Sequence, residues 1–227
     1  MKKRIFSLIF CVCLVLVVLF SATSCTKTNK MNSAILALNE CDKLDISLYT
    51  MAYYHIGSKD EEQMQKHELT VDGNTEKLVS TFDSYGQTIE ANTESKTAKD
   101  TGAGADIAYE DYLSNPNYRG YISGLLKTLP TYCLVEARFD SVGKKQTMTV
   151  NLSGADFVAA YGELDKIFDT KLVALEGEDT DLEYTSCQLK IITRQGYLSE
   201  IYLEVDVECG FTSAKIKLNL VCNSMSQ

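Results

Sequence analysis

Two hydrophobic patterns divide this chain. Ile5 to Phe20 is an apolar run interrupted only by Ser7 and free of charge, preceded by Met1-Lys2-Lys3-Arg4 and followed by Ser21-Ala22-Thr23-Ser24-Cys25. Further on, apolar and polar residues alternate over long stretches, the period-2 signature of strands with one covered face. The alternation is cleanest near the end. Cys187, Leu189, Ile191 and Thr193 alternate with Gln188, Lys190, Ile192 and Arg194, and Gln195-Gly196 turns the chain. Tyr197, Ser199, Ile201, Leu203, Val205, Val207 and Cys209 then share one face, and after a turn over 210–214 the pattern resumes with Ile216, Leu218, Leu220 and Cys222. This predicts a three-stranded antiparallel meander with one wet and one dry face. Lys215 and Lys217 are expected opposite Glu208 and Asp206 across its last hairpin.

Upstream, Ser33–Leu44 predicts a short helix with Ile35, Leu38 and Cys41 on one side. Asp45–Ile56 predicts a strand with apolar residues on both faces, hence one covered on both sides. Gln65–Val71 predicts a strand turning at Asp72-Gly73-Asn74, and Lys77–Phe82 with Gly86–Ala91 a further hairpin. Asn92–Gly104 is small and polar and predicts a mobile loop. Tyr109–Tyr121 carries four tyrosines and fits no single element, while Tyr121–Leu129 predicts a short helix ending before Pro130. Cys133–Phe139 alternates as a strand, 141–145 turns, and Met148, Val150 and Leu152 mark the next strand. Ser153-Gly154-Ala155-Asp156 resembles a capping box with Asp in place of Glu. It opens a helix carrying Phe157, Ala160, Tyr161, Leu164, Ile167 and Phe168 at helical spacing.

The N-terminal run has the three parts of an export signal: a basic head, an apolar middle and a small-residue exit. Lys2, Lys3 and Arg4 suit the cytoplasmic side. At about 1.5 Å per helical residue the run reaches roughly 24 Å, short of the ~30 Å hydrocarbon core. The exit Ala22-Thr23-Ser24-Cys25 resembles the lipobox of bacterial lipoproteins, though the typical pattern has Leu where Ala22 stands and Gly or Ala where Ser24 stands. The resemblance implies cleavage before Cys25, fatty acylation of Cys25 and anchoring on the extracytoplasmic face of the cell membrane by buried methylenes. It gives residues 1–24 as signal peptide, 25–32 as acylated Cys25 and polar tether, and 33–227 as one domain. An ordinary cleaved signal and an uncleaved membrane helix are the alternatives.

Composition narrows the partners. With Lys2, Lys3 and Arg4 set aside, nineteen of the 22 Lys and Arg residues remain against 31 Asp and Glu, and the net charge moves from −9 to about −12. Nucleic acid is not expected, because phosphate binding needs a basic face. Five of the 8 cysteines lie beyond the signal: Cys41, Cys133, Cys187, Cys209 and Cys222. None forms a CxxC pair, so they read as core thiols or as one disulfide with the rest free. The two histidines, His55 and His67, have no carboxylate at ligand spacing. The acidic run Glu176–Asp181 lacks the oxygen spacing of a calcium loop. No metal, cofactor or catalytic motif is expected. The 13 tyrosines with no tryptophan offer amphipathic contact area, either for a partner or for covering sheet edges.

The order of elements predicts an α+β fold: a curved antiparallel β-sheet, or half-barrel, with helices packed on its concave face. On the lipobox, the passage Gly143-Lys144-Lys145 through Gln146–Phe157, and Ile192–Glu208, the chain resembles the LolA/LppX-like lipoproteins. That resemblance implies a non-enzymatic protein binding a lipid or other apolar ligand in a concave sheet. Met51, Tyr53, Phe157 and Tyr161 are the expected lining. The alternative is a cell-envelope module with a filled core that recognises a protein or a wall polymer through its tyrosines and acidic surface.

Overall fold

The computed structural model describes residues 26–129, 137–159, 183–209 and 212–226. The export segment with Cys25, and likewise Cys133, Tyr161 and the run 176–181, lies outside the described residues. Helix α1 covers 26–36 and passes into a 3-10 turn, Ala37–Glu40. Strands β1 (Lys43–Ile56), β2 (Lys59–Asp72), β3 (Thr75–Thr81), β4 (Gly86–Asn92), β5 (Thr97–Asp100) and β6 (Ala105–Ile107) follow. Helices α2 (Tyr109–Ser114) and α3 (Arg119–Thr128), strands β7 (Arg138–Val142) and β8 (Lys145–Ser153), and helix α4 (residues 154–159) come next. Strands β9 (Glu183–Arg194), β10 (Tyr197–Cys209) and β11 (Thr212–Ser226) complete the described chain.

All eleven strands join one open antiparallel sheet in the order β6-β5-β4-β3-β2-β1-β11-β10-β9-β8-β7. The first and last thirds of the chain meet where β1 pairs with β11 along its whole length. Register puts the alternating apolar residues in rows across one face. Leu48, Leu220, Ile201, Ile191 and Met148 form one row, and Thr50, Leu218, Leu203, Leu189 and Val150 the next. All of these are buried, and the apolar ones join Met31 and Ile35 of α1, Leu38 of the 3-10 turn, Tyr121, Ile122, Leu125 and Leu126 of α3 and Phe157 of α4 in one core. The helices therefore cover the buried face of the sheet. The opposite face of β1, with Tyr49, Met51 and Tyr53, is half-buried and lies against charged neighbours, so this strand is sealed on one side where its sequence predicts cover on both.

Local chemistry fixes the turns. Gly73 has φ +57 at the first position of the two-residue β2–β3 connection, a conformation that side chains with a Cβ resist. The predicted mobile loop 92–104 instead holds the short strand β5 between two tied turns. The Asn92 Oδ1 accepts the backbone N–H groups of Glu94 at 3.1 Å and Ser95 at 2.8 Å. Asp100 Oδ1 accepts those of Gly102 at 2.9 Å and Ala103 at 3.0 Å, while Gln87 holds Asp100 Oδ2 at 2.8 Å. Small polar residues serve here as turn formers rather than as a tether.

Three other expectations are corrected. Residues 26–32 of the predicted tether 25–32 are helical, and Met31, Ala34, Ile35 and Leu38 form an apolar stripe at i, i+3, i+4 and i+7. In β10 a register shift between Leu198 and Glu200 moves Leu198 to the dry face and leaves Tyr197 57 % exposed. Such a bulge reverses which side chains face the core. Asp206 pairs with Lys215 and Glu204 with Lys217, two residues from the predicted partners, and Glu208 faces Ser213.

Cys41, Cys187 and Cys222 are free thiols. Burial pushes Cys187 up to about 12. Burial, then Cys41 and Asp45, push Cys222 up to about 11. A thiol reacts as its thiolate, so Cys187 should resist iodoacetamide at pH 8 in the native protein and react once the chain is unfolded. Peptide mass spectrometry of the two samples reads this directly, and equal labelling would contradict its burial.

Candidate functional site

The two halves of the buried face differ in chemistry. From β1 through β5 the rows include polar residues. His67 lies beside Leu48 and Ser80, Glu76 beside Val71 and Ala91, and Asp100 beside Ile89. Helices α2 and α3 answer these groups. The Tyr121 hydroxyl lies 2.6 Å from Thr50 Oγ1, and its ring stands edge-on to His67 at 5.2 Å. His67 is fully buried, with Nδ1 2.8 Å from Ser80 Oγ. Tyr112 donates to Glu76 Oε2 at 2.8 Å, and Arg119 Nε sits 3.5 Å from the same oxygen. Burial first, then the Glu76 carboxylate, push the Tyr112 phenol above its usual range, so it remains a donor. This half is a set of polar clamps.

The half under α1 and α4 is different. The face of β8–β11 is built from Met148, Val150, Leu189, Ile191, Ile201, Leu203, Leu218 and Leu220, each at most 1 % exposed. At its edge, α1 and the tips of the β7–β8 and β9–β10 hairpins enclose a cleft of about 910 Å³. Met31, Ala34 and Ala37 supply its apolar wall, and Lys30, Lys144, Gln146, Thr193 and Tyr197 its rim. Met31 and Ala34 also belong to the core, so one helix face is shared between the cleft and the covered sheet. On the far side of this half, α4 lays Phe157 against Tyr184, ring centres 5.0 Å apart.

A second cleft, about 670 Å³, opens at the opposite end of the strands. Among its charged lining residues the acidic ones predominate, Asp60, Glu61, Glu62, Asp206 and Glu208 against His55 and Lys215. Tyr54 reaches it and donates to Gln63 Oε1 at 3.1 Å. Burial, then Asp83, raise this phenol to about 12.

The expected lining residues do not converge. Phe157 is on the buried face. Met51 and Tyr53 are on the other face, where Lys217 Nζ lies 5.2 Å from the Tyr53 ring centre. Around them Lys215 bridges Glu204 at 2.8 Å and Asp206 at 3.0 Å. Those hydrogen bonds raise Lys215 to about 12, and the bond from Lys215 is the largest cause of the lowered Glu204 carboxyl. Tyr161 and Cys25 lie outside the described residues. Sequence reasoning missed the α1 cleft because it began the helix at Ser33. The signal was present in the spacing of Met31, Ala34, Ile35 and Leu38.

The histidines do not form a pair. His67 sits beside Leu48 and His55 seven positions further along β1, about 23 Å at strand rise. His55 does have a carboxylate partner, Asp60 Oδ1 at 2.8 Å, brought close by the β1–β2 hairpin. Among the described residues no three His, Cys, Asp or Glu side chains are grouped to hold a metal. Among them also, no helix is long and apolar enough to cross a membrane.

No protein-family model matches the chain, and no curated protein matches it. Solved structures to which it is similar include a LolA superfamily protein from Nitrosomonas europaea, with 9% identity, 85% of this chain and 94% of that chain covered, and a TM-score of 0.27. A DUF1329 family protein from Desulfovibrio piger gives 9% identity, coverage of 87% and 92%, and a TM-score of 0.25. A domain described as belonging to an outer membrane lipoprotein-sorting protein from Vibrio parahaemolyticus gives 11% identity, coverage of 89% and 95%, and a TM-score of 0.25. Scores this low leave the functional reading to the chain's own geometry.

Proposed function

We propose that this chain is a membrane-anchored, extracytoplasmic, non-enzymatic protein that holds a lipid or other apolar ligand between α1 and the buried face of its sheet. The observation that carries the reading is the cleft beside α1, whose wall residues Met31 and Ala34 are also core residues. Its volume of about 910 Å³ lies in the range of small-molecule sites. An apolar chain entering there exchanges helix contacts for its own, so its burial is driven by the same hydrophobic term that holds α1 down. The polar rim of Lys30 and Lys144 suits an anionic or hydrogen-bonding headgroup. Anchoring rests on the sequence Met1–Cys25.

The alternative, a cell-envelope module that recognises a protein or a wall polymer, keeps its acidic surface as motivation and loses the tyrosines of 109–121. Tyr112 and Tyr121 are fully buried, and Tyr109 and Tyr118 are half-buried against the core. These side chains hold helices to the sheet rather than offer a contact surface.

The test is native mass spectrometry of the full chain extracted from membranes, paired with titration of a fluorescent fatty acid. A retained mass beyond the anchor, together with saturable probe binding, is expected. Ala37→Trp fills the cleft from a half-buried wall position outside the core and should weaken probe binding at least tenfold, about 1.4 kcal/mol, with an unchanged circular dichroism spectrum. A clean mass with no saturable binding would overturn the reading.

A further inference from the structure

The cleft end of the molecule carries a charge pattern that a folded sheet does not need. Lys145 and Arg194 are directly opposite each other in the β8–β9 register, and both are exposed. Like charges facing across two strands destabilise the pairing. Lys144 lies next to this pair, Lys30 of α1 lines the cleft beside the same tips, and the exposed Lys27 of α1 has its Nζ 5.5 Å from the Phe139 ring centre on β7. One acidic residue, Asp140, stands on the β7–β8 hairpin against these five cations, in a chain whose net charge is −9. The opposite end of the strands holds the acidic cleft.

The same tips expose apolar side chains. Val142 is 78 % exposed and Tyr197 57 % exposed. The backbone N–H of Gln195 donates to the Lys144 carbonyl at 3.0 Å, so the two hairpin tips are joined into one platform. Apolar tips ringed by basic residues match a bilayer interface, where apolar side chains enter the headgroup layer and cations face anionic lipid. Thr26 of α1 lines the cleft between these tips. The apolar run Ile5–Phe20 and Cys25 precede it directly in sequence.

We infer that the β7–β8 and β9–β10 hairpin tips, with Thr26–Lys30 of α1, dock on an anionic membrane surface and so turn the mouth of the α1 cleft toward the bilayer. This rests on the anchoring part of the proposed function and is independent of whether the cleft holds a lipid. The repulsion between Lys145 and Arg194 is relieved by lipid phosphates, and the acidic cleft at the far end of the sheet faces away from the anionic surface.

The experiment is amide hydrogen exchange of the full chain on phosphatidylcholine vesicles with and without phosphatidylglycerol. Flotation of the vesicles reports anchoring separately, so an anchor that fails is told apart from tips that do not dock. Exchange over 142–146 and 194–198 should slow roughly tenfold on the anionic vesicles and recover at high salt. A Lys144→Glu, Lys145→Glu, Arg194→Glu variant should lose that protection while exchange over 201–205 stays slow, which shows the sheet intact. Equal exchange on both vesicles in a chain that floats would overturn the inference. So would protection that follows protein concentration rather than lipid charge, which would make the tips a contact between two copies.

Discussion

Replacing Arg119 with alanine is expected to cost about 3–5 kcal/mol of stability and to lower the melting temperature by on the order of 10 °C. The side chains of Arg119 and Glu76 are 9% and 10% exposed, so both charges have left water. Their separation of 3.5 Å is an ion pair rather than a good hydrogen bond, and the supporting contacts carry much of the geometry. Tyr112 donates to the carboxylate at 2.8 Å, and Arg119 Nη1 reaches Ser123 Oγ at 2.9 Å. Removing the cation leaves Glu76 buried beside Val71 and Ala91 with one phenol for company. The pair itself is not strongly stabilising against apolar replacements, so the cost belongs to the orphaned charge. Glu76→Gln in the Arg119→Ala background should therefore recover part of the loss. Chemical denaturation of the four variants gives the coupling. A single-variant loss below about 1 kcal/mol would mean that water reaches the pair.

This asymmetry bears on function. Tyr112, Tyr121 and Arg119 specify where α2 and α3 sit through directional bonds, which an apolar ligand cannot replace. The contacts that place α1's core residues Met31, Ala34 and Ile35 in the core are apolar, and apolar contacts are non-directional. A ligand with a hydrocarbon chain can substitute for such contacts at little cost. The polar half then serves as scaffold, and in the apolar half the contacts of Met31, Ala34 and Ile35, though not those of the buried polar Thr28, are of the kind a hydrocarbon chain can replace.

The strands were legible because alternation is strong wherever one face is dry. β1, β3, β4, β8, β9 and β11 lie close to their predicted spans, and the order of hairpins follows from them. What alternation could not show was the pairing of β1 with β11, a contact between the two ends of the domain that no local pattern encodes. Nor could it show bulges. The extra residue near Ser199 reverses the faces of Tyr197 and Leu198 and so created one of the exposed tips. The amphipathic face of β1 misled for a physical reason: Tyr49, Met51 and Tyr53 read as apolar, yet the two tyrosine rings lie under lysine ammonium groups at the surface. The candidate site was half legible. Its helix stripe stood in the sequence, but the cleft depends on hairpin tips distant in the chain.

Gly154→Ala carries the second large effect, and there the sign is more informative than the size. In an open helix this change should stabilise by up to about 1 kcal/mol, since alanine is the better helix former. At Gly154 a Cβ would overlap the carbonyl of Tyr184 on β9, a backbone atom with no rotamer to yield. The first turn of α4 is seated directly on that strand. Ser153 Oγ accepts the Asp156 N–H at 3.2 Å and donates to Asp156 Oδ2 at 2.6 Å, which fixes the turn from the other side. The added methyl group would have to lift α4 from the sheet or push β9 outward, separating Phe157 from Tyr184 in the core. Overpacking of this kind costs typically about 1–3 kcal/mol and sometimes more. Thermal melting of Gly154→Ala should therefore show a drop of several degrees where helix propensity alone predicts a rise. A rise would mean that α4 stands off the strand and that the Ser153-Gly154-Ala155-Asp156 turn uses glycine for no steric reason.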